Sequence, residues 1–245
     1  MIKNKLITII PDVHGRTFWK DAVQDIDVTP AIFLGDYIDP YSQEGIPNGV
    51  ALGRFREILE LKRSHPDRAT LLLGNHDLHY LFPGIGGGRM DHDNHIIICD
   101  LIQDNLDLFD MALEMEAGER RYLFTHAGVL KGWLDRNDNL RYGDAPASVG
   151  ARMNYLLHDE TWRETLLWAL TDTGTHRGGL DPFGSPVWAD VEEHDPTRHE
   201  LEGVYQVFGH TWMKKAIVTP YWACLDCGTA FVIDLESGTI RPKEN

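Results

Sequence analysis

The chain has 245 residues, a formal net charge of −15 and a hydrophobic fraction of 42%. That fraction is large enough to build a core, which excludes an intrinsically disordered protein, and the length suits a single domain spanning residues 1–245. The strong negative charge argues against sequence-independent binding to large nucleic acids or to anionic membranes, because both need a basic surface. Twelve histidines in so acidic a chain need an explanation, and histidine is a common metal ligand.

Three cysteines are too few for a disulfide scaffold, and Cys224 and Cys227 form a C-x-x-C motif without a second pair. We predict that these two cysteines are buried thiols at the end of a strand. No apolar run approaches the roughly 18 residues of a membrane span. The run at 6–10 is also too short for the core of a signal peptide. The sequence therefore predicts a cytoplasmic protein that does not interact with membranes.

The first third of the chain alternates strand-like and helix-like patterns. Short apolar runs predict buried strands at 6–10, 31–34 and 70–73, and each run is followed by proline, glycine or polar residues. Apolar residues at helical spacing predict helices at 17–26 and 50–61. This alternation of strand and helix is typical of an α/β sheet.

The rest of the chain is less regular. The sequence PGIGGG at 83–88 predicts a flexible loop. The segment 91–119 contains nine acidic residues and no Lys or Arg, and we predict within it an amphipathic helix at 96–108 with a solvated acidic face. The remaining predicted elements are strands at 121–125, 204–208, 216–219, 221–225 and 231–235, the last two of which suggest an antiparallel tail, a helix at 153–170 and a loop at 171–186.

Polar clusters follow five of the predicted strands. The clusters are Asp12-Val-His14-Gly, Gly-Asp36-Tyr-Ile-Asp39, Gly-Asn75-His76-Asp77, His126-Ala-Gly and Gly-His210-Thr. In open α/β sheets, ligands bind just beyond the carboxyl ends of the strands. Aspartate, asparagine and histidine offer oxygen and imidazole ligands, which suit Mn, Fe or Zn better than soft thiolate metals. Six candidate ligands make a pair of metal ions more plausible than one.

The clusters and their flanking residues resemble the calcineurin-like metallophosphoesterases and, within them, the phosphoprotein phosphatase branch. The resemblance is strongest at the segments LITIIPDVHG, AIFLGDYID, TLLLGNHDLHYL, YLFTHAG and VFGHTW. It implies an α/β sandwich of two mixed β-sheets flanked by helices, with two divalent metal ions at the strand ends. Manganese is the favoured ion, and Fe, Zn and Ni are alternatives.

The same resemblance implies a role for individual residues. Asp12 and His14 would bind the first ion, and Asp36 would bridge both. The ligands of the second ion would be Asn75, His126 and His210. His76 would be the general acid that protonates the leaving oxygen, and Asp39 would orient it. Two ions about 4 Å apart can hold a bridging hydroxide that attacks phosphorus, which is chemistry that these residue types support.

Two departures from the family pattern affect ligand binding. Protein phosphatases usually continue the second motif as GDxxDRG, but Pro40 follows Asp39 here, so the phosphate-binding arginine is missing. We predict that Arg177, in the glycine-rich sequence HRGG, replaces it, and Arg54 and Arg89 are the alternatives. The sequence GHTW at 209–212 also lacks the second histidine of the GHxH motif, which leaves the first ion with fewer protein ligands.

The leading functional prediction is hydrolysis of phosphomonoesters by a phosphoprotein-phosphatase-like enzyme. The alternative is hydrolysis of dinucleoside polyphosphates, because GNHDLH and the later LDCG look more like the symmetrical diadenosine tetraphosphatases. Those enzymes, however, generally keep the arginine of the second motif and lose its aspartate. A non-catalytic metal-binding scaffold is a third possibility. The expected partner is a small phosphorylated substrate or a phosphoprotein, and the oligomeric state stays open.

Overall fold

The structure, a computed structural model, describes residues 6–86, 88–140 and 147–244. Its strands are β1 (Leu6–Ile10), β2 (Ala31–Phe33), β3 (Ala69–Leu72), β4 (Phe109–Asp110), β5 (Leu113–Ala117), β6 (Arg120–Phe124), β7 (Val204–Phe208), β8 (Ile217–Val218), β9 (Trp222–Cys224), β10 (Phe231–Asp234) and β11 (Ile240–Pro242). Its α-helices are α1 (Phe18–Ala22), α2 (Asn48–Ser64), α3 (Asn75–Leu81), α4 (His95–Gln103), α5 (Lys131–Arg136), α6 (Val149–His158) and α7 (Arg163–Ala169).

The strands form two mixed sheets. The first sheet has the order β11-β10-β1-β2-β3-β4, in which β1 to β4 are parallel and β10 and β11 are antiparallel to their neighbours. The second has the order β5-β6-β7-β9-β8, in which β6, β7 and β9 are parallel. This architecture confirms the predicted α/β sandwich of two mixed sheets flanked by helices.

The alternation of side chains along each strand divides the hydrophobic core into layers. Ile7 and Ile9 of β1 belong to a buried cluster that also contains Phe124 and Val207 of the second sheet. Ile10 belongs instead to the larger cluster that includes residues of the helices, such as Phe55 of α2. The two sheets therefore pack face to face, and the helices cover their outer faces.

Several predicted elements have different bounds in the structure. The predicted helix at 17–26 keeps only the short α1, and a turn-rich segment follows it. The predicted helix at 153–170 is two helices, α6 and α7, separated by residues 159–162. The predicted loop at 83–88 contains a 3₁₀ turn at Pro83–Ile85, of which Ile85 is buried, and Gly87 of that loop lies outside the described residues.

The acidic segment departs most from expectation. Helix α4 forms the first part of the helix predicted at 96–108 but ends at Gln103, and a 3₁₀ turn at Leu106–Leu108 follows it. The acidic segment then continues as β4 and β5, which the sequence did not predict. The tail strands are also distributed differently, because β9 joins the second sheet while β10 pairs with β1 in the first. Cys224 is buried at the end of β9 as predicted, whereas Cys227 is only partly buried. Within the described ranges, no helix is both long enough and apolar enough to span a bilayer.

Candidate metal centre

The strand register brings the predicted ligands to one edge of the sandwich. In the first sheet, Ile10 of β1 pairs with Phe33 of β2, and Phe33 pairs with Leu71 of β3, so these strands end nearly level. In the second sheet, Phe124 of β6 pairs with Val207 of β7. The residues that follow these ends are the predicted ligands Asp12, Asp36, Asn75, His126 and His210. Each sheet therefore contributes part of one cluster.

All six predicted ligands meet in this cluster. Ligand atoms of Asp12, Asp36, His126 and His210 lie within 4.8 Å of one another, and all four side chains are buried. The Asn75 Oδ1 atom lies 3.1 Å from His126 Nε2. The Nε2 atom of His14 lies 3.5 Å from Asp36 Oδ2 and 3.9 Å from Asp12 Oδ2.

Hydrogen bonds to the backbone fix the orientation of two of the imidazoles. The Nδ1–H of His14 donates to the carbonyl of Ile38 over 2.9 Å, and that of His126 donates to the carbonyl of Leu34 over 2.8 Å. Each ring therefore presents an Nε2 lone pair to the cluster, as metal-binding histidines with such outer partners do. The donor set of carboxylate, amide oxygen and imidazole fits a divalent first-row ion.

The protonation states of the clustered side chains suit the binding of a cation. Burial, and the positive charge that nearby His76 can carry, lower the pKa of His14 well below its usual range, so its ring is neutral and able to bind a metal. Burial and then Arg177 do the same for His210, and its Nε2 has no hydrogen-bond partner among the described residues. Burial and the neighbouring Asp12 carboxylate raise the pKa of Asp36 well above normal. A bound cation would relieve this repulsion between carboxylates.

Two glycines allow the ligands to approach so closely. A Cβ atom on Gly74 would overlap Asp36 Oδ1 and lie 2.8 Å from the His126 ring. A Cβ atom on Gly209 would overlap Asp12 Oδ1. The glycine that precedes each of these ligand motifs is therefore a requirement of packing.

Backbone strain is concentrated at the cluster. Among the described residues, the non-glycine residues with positive φ are His14 at 44°, Asp36 at 55°, Asp39 at 56° and His210 at 68°. This conformation is unfavourable for residues with a Cβ atom and persists only where the surroundings enforce it. All four are residues for which the sequence predicts a role in the site.

The predicted acid–base pair is in contact. The Nδ1 atom of His76 lies 2.8 Å from Asp39 Oδ2. Asp39 also accepts a hydrogen bond of 2.6 Å from the Tyr80 hydroxyl and one of 3.2 Å from the Asp91 backbone N–H. Burial would raise the pKa of Asp39, but its contacts with His76, His79 and Tyr80 hold that pKa below its usual range. Asp39 is therefore a carboxylate that holds the His76 ring in place.

His79 is a further member of this group. Helix α3 begins at Asn75, directly after the turn that follows β3, so His76 and His79 lie on the same face. His79 is fully buried, and its Nε2 lies 3.0 Å from Asp39 Oδ2. The spacing of three residues is the signal that could have identified it. Burial lowers the pKa of His76, and the hydrogen bond that its ring donates to Asp39 opposes that change without reversing it.

Asp77 has a structural role that the sequence did not reveal. Its carboxylate accepts backbone hydrogen bonds from Asp36 at 2.7 Å, Tyr37 at 3.0 Å and Gly74 at 2.8 Å. These bonds tie the loop after β2 to the turn after β3. The final aspartate of the GNHD sequence thus fixes the relative positions of two predicted ligands, Asp36 and Asn75.

The three predicted phosphate-binding arginines have different environments. The guanidinium of Arg54 donates to the carbonyl of Gly15. Arg177 forms an ion pair of 2.8 Å with Asp190, and its Nη2 donates to Thr211 Oγ1 over 2.7 Å.

Arg89 reaches the cluster itself. Its Nε donates to the carbonyl of Asp39 over 3.1 Å, and its Nη2 lies 3.3 Å from Nε2 of His14. The guanidinium carbon lies 3.6 Å from the centre of the Tyr41 ring, so the aromatic face supports it. Arg89 therefore lies at the side chain of a predicted metal ligand, whereas Arg177 reaches the backbone of one, since its Nη2 donates to the carbonyl of His210 over 3.3 Å.

Comparisons with known proteins identify the family of the chain. Residues 5–212 match the family model described as calcineurin-like phosphoesterase. A protein serine/threonine phosphatase from Saccharomyces cerevisiae, with similarity to a human phosphatase, is 15% identical over 98% of this chain and 80% of its own, with a TM-score of 0.50. A hypothetical protein from Pyrococcus horikoshii is 9% identical over 98% of this chain and 87% of its own, with a TM-score of 0.46. At 15% identity, the yeast structure supports the fold alone.

Proposed function

Because the chain belongs to the calcineurin-like phosphoesterase family, whose members are metal-dependent phosphoester hydrolases, we propose that it releases phosphate from phosphomonoesters at a dinuclear centre. The observation that carries the proposal is the convergence of buried carboxylate, amide and imidazole atoms on one point. Asp12, His14 and Asp36 would hold the first ion. Asp36, Asn75, His126 and His210 would hold the second. The phosphoprotein-phosphatase-like form of this activity remains our leading assignment.

The metal ions and the arginines would have different roles in this reaction. When bound, two divalent ions supply charge neutralisation and an activated water for in-line attack on phosphorus. Arg89 binds the non-bridging phosphate oxygens through its planar fork, which supplies the charge that the missing arginine of the second motif would provide. Arg177 and Arg54 would then hold the loops around the site, since both already bind groups there.

His76 completes the reaction as the general acid. Its Nδ1–H is held by Asp39 at 2.8 Å, so in the protonated ring Nε2–H is the group that gives its proton to the leaving oxygen as the bond from that oxygen to phosphorus breaks, and the ring is left neutral. His76 is 6% exposed, whereas Asp39 is 3% exposed and His79 is fully buried. The proton therefore passes from the member of this group that solvent and substrate reach most easily.

One observation favours dinucleoside polyphosphates as an alternative substrate. Trp212, two residues after His210, is half exposed, and the guanidinium carbon of Arg16 lies 4.9 Å from its ring. Arg16 also donates to the backbone carbonyl of Asp12, so this pair lies at the rim of the cluster. An exposed indole held by an arginine can stack on a nucleobase.

The experiment compares metal content and turnover in wild type and Asp36→Asn. Asparagine tolerates the left-handed backbone at position 36, so the fold is kept while the bridging carboxylate is lost. We expect about two Mn ions per wild-type chain, fewer in the variant, and hydrolysis by wild type alone. Full activity of the variant with unchanged metal content would contradict the proposed centre.

The substrate panel decides between the alternatives. A phosphoserine peptide should be hydrolysed faster than diadenosine tetraphosphate if the leading assignment holds. The reverse order would favour the dinucleoside polyphosphate. Two tightly bound ions without turnover of either substrate would identify a metal-binding scaffold.

A further inference from the structure

Asp226 occupies the same position after its strand as three predicted ligands do. Asp12, His126 and His210 each lie two residues beyond the last residue of β1, β6 and β7, and Asp226 lies two residues beyond Cys224, the last residue of β9. Phe208 pairs with Cys224 in the parallel register of β7 and β9, so His210 and Asp226 follow at the same level. The backbone bond from Leu225 N–H to the Phe208 carbonyl, 2.8 Å long, continues this pairing past the strand. The sheet therefore directs Asp226 to the edge where the cluster lies.

The Asp226 carboxylate is buried and lacks a compensating contact. The residue is 0% exposed, and neither of its carboxylate oxygens has a hydrogen-bond partner among the described residues. Burying a carboxylate without a partner is strongly unfavourable, so native proteins pair such groups or bind metal with them. This absence of a partner contrasts with Asp77, whose buried carboxylate accepts three backbone hydrogen bonds.

The charged groups that act on Asp226 include the predicted ligand Asp12 and two arginines. Burial and then the Asp12 carboxylate raise the pKa of Asp226 well above normal, while Arg16 and Arg177 act against this. Both arginines are already engaged, Arg16 with Glu44 and Arg177 with Asp190. Asp12 Oδ1 accepts a hydrogen bond of 2.9 Å from the His210 N–H, and Asp226 follows β9 at the level of His210, so a cation on the Asp12 side of the cluster would stabilise both buried carboxylates.

We propose that Asp226 contributes its carboxylate to the shell of the first metal ion, an inference that rests on the proposed dinuclear centre. Trp212 occupies the position of the second histidine in the GHxH motif, and its half-exposed ring lies against Arg16. The first ion thus lacks a ligand from that position, and Asp226 supplies an anionic group from the neighbouring strand. Asp226, like His14, is not one of the four residues whose ligand atoms lie within 4.8 Å of one another, so its carboxylate would support the centre from outside that group.

The test is Asp226→Asn, measured for Mn²⁺ binding by calorimetry and for thermal unfolding with and without metal. We expect one of the two ions to bind about 10–100-fold more weakly, the effect typical of residues that support a metal ligand. The metal-free variant should unfold at the same or a higher temperature than metal-free wild type, because an unpaired buried charge has been removed. The increase in unfolding temperature on adding Mn²⁺ should be smaller than in wild type.

Two control variants separate a role in metal binding from a general effect of lost charge and from a purely structural role. Asp172→Asn removes a partly buried carboxylate that is bonded by Asn137, and it should change Mn²⁺ affinity less than about twofold because distant charges are screened. Asp77→Asn removes a fully bonded carboxylate and should lower the unfolding temperature of the metal-free protein.

Either of two results would overturn the proposal. One is Mn²⁺ affinity of Asp226→Asn within about twofold of wild type, below the range expected for such residues. The other is a metal-free Asp226→Asn that unfolds earlier than wild type, as expected of a structural carboxylate. If wild type itself fails to bind two ions, the proposed dinuclear centre fails instead.

Discussion

Individual residues of the site have strained backbone conformations or buried carboxylates. His14, Asp36, Asp39 and His210 hold left-handed backbone conformations that cost on the order of 1–3 kcal/mol each. Asp36 also has a raised pKa, because burial and Asp12 disfavour its charged form. These features lower the stability of the protein, so another interaction must offset their free-energy cost. Metal binding would provide that stabilisation.

His76→Asn tests the proton donor. Its metal content should be unchanged, because the predicted ligand is the preceding Asn75. Turnover of an alkyl phosphate should fall by about 100-fold or more, the usual contribution of general acid catalysis, and turnover of p-nitrophenyl phosphate should fall less. The p-nitrophenolate group leaves without a proton, so equal losses on both substrates would argue against this role. His65→Asn, a partly exposed histidine, is the control.

Arg89→Lys tests the phosphate-binding arginine. Lysine keeps the charge but loses the planar fork, so inhibition by inorganic phosphate should weaken about tenfold or more, as expected when a charge-assisted hydrogen bond is lost. Arg54→Lys should have a smaller effect, because Arg54 donates to the Gly15 carbonyl. A larger loss in Arg177→Lys than in Arg89→Lys would assign the role to Arg177, as the sequence first favoured.

Turns that connect strands to helices place the ligands at the level of secondary-structure elements. Helix α3 begins at Asn75, within three residues of the end of β3, so its first turn carries Asn75, His76 and Asp77, and His79 follows one turn later.

In the acidic segment, a strand pattern is masked by the high content of acidic residues. Leu113, Met115 and Ala117 alternate with glutamates in β5, which is the period of two expected of a strand. The sequence prediction followed the acidity of the region and missed this strand.

Gly74→Ala tests the close packing of this turn. The added methyl group would overlap Asp36 Oδ1 and press on His126, so we expect a loss of about 1–3 kcal/mol in the free energy of unfolding and weaker Mn²⁺ binding. Gly53→Ala, in the interior of α2 with nothing within 4 Å of the new Cβ, is the control. It should stabilise the protein by about 0.5–1 kcal/mol, because alanine is the better helix former. A stable, metal-binding Gly74→Ala would show that the turn can relax.

The metal centre lies between the two sheets, so bound ions would affect the stability and charge of the whole molecule. Asp12, Asp36 and Asn75 follow strands of the first sheet, and His126 and His210 follow strands of the second. Metal ions held by both sets would link the sheets. They would also place about four positive charges at one point of a chain whose net charge is −15, which suits an anionic substrate.

Metal removal should therefore destabilise the entire protein. At a free Mn²⁺ concentration 100 times the dissociation constant, each bound ion adds about 2.7 kcal/mol to the free energy of unfolding. For a chain of this size, that corresponds to an unfolding temperature about 5–10 °C higher per ion. Thermal unfolding with Mn²⁺ and with a chelator measures the difference, and Asp36→Asn should lose most of it. Equal unfolding temperatures under both conditions would contradict a centre shared by the sheets.

The sequence by itself determined the α/β alternation and the clusters at the strand ends, because apolar runs and the glycines beside them are local signals, and its resemblance to a known family implied the two-sheet fold class. It could not determine which arginine reaches the cluster, that His79 and Tyr80 bind Asp39, or that Asp226 is buried without a partner. Those properties depend on strand order and register, which bring residues as distant as Asp12 and His210 within hydrogen-bonding distance. Desolvation and contact between charges arise only when that packing is complete, so only the tertiary structure decides them.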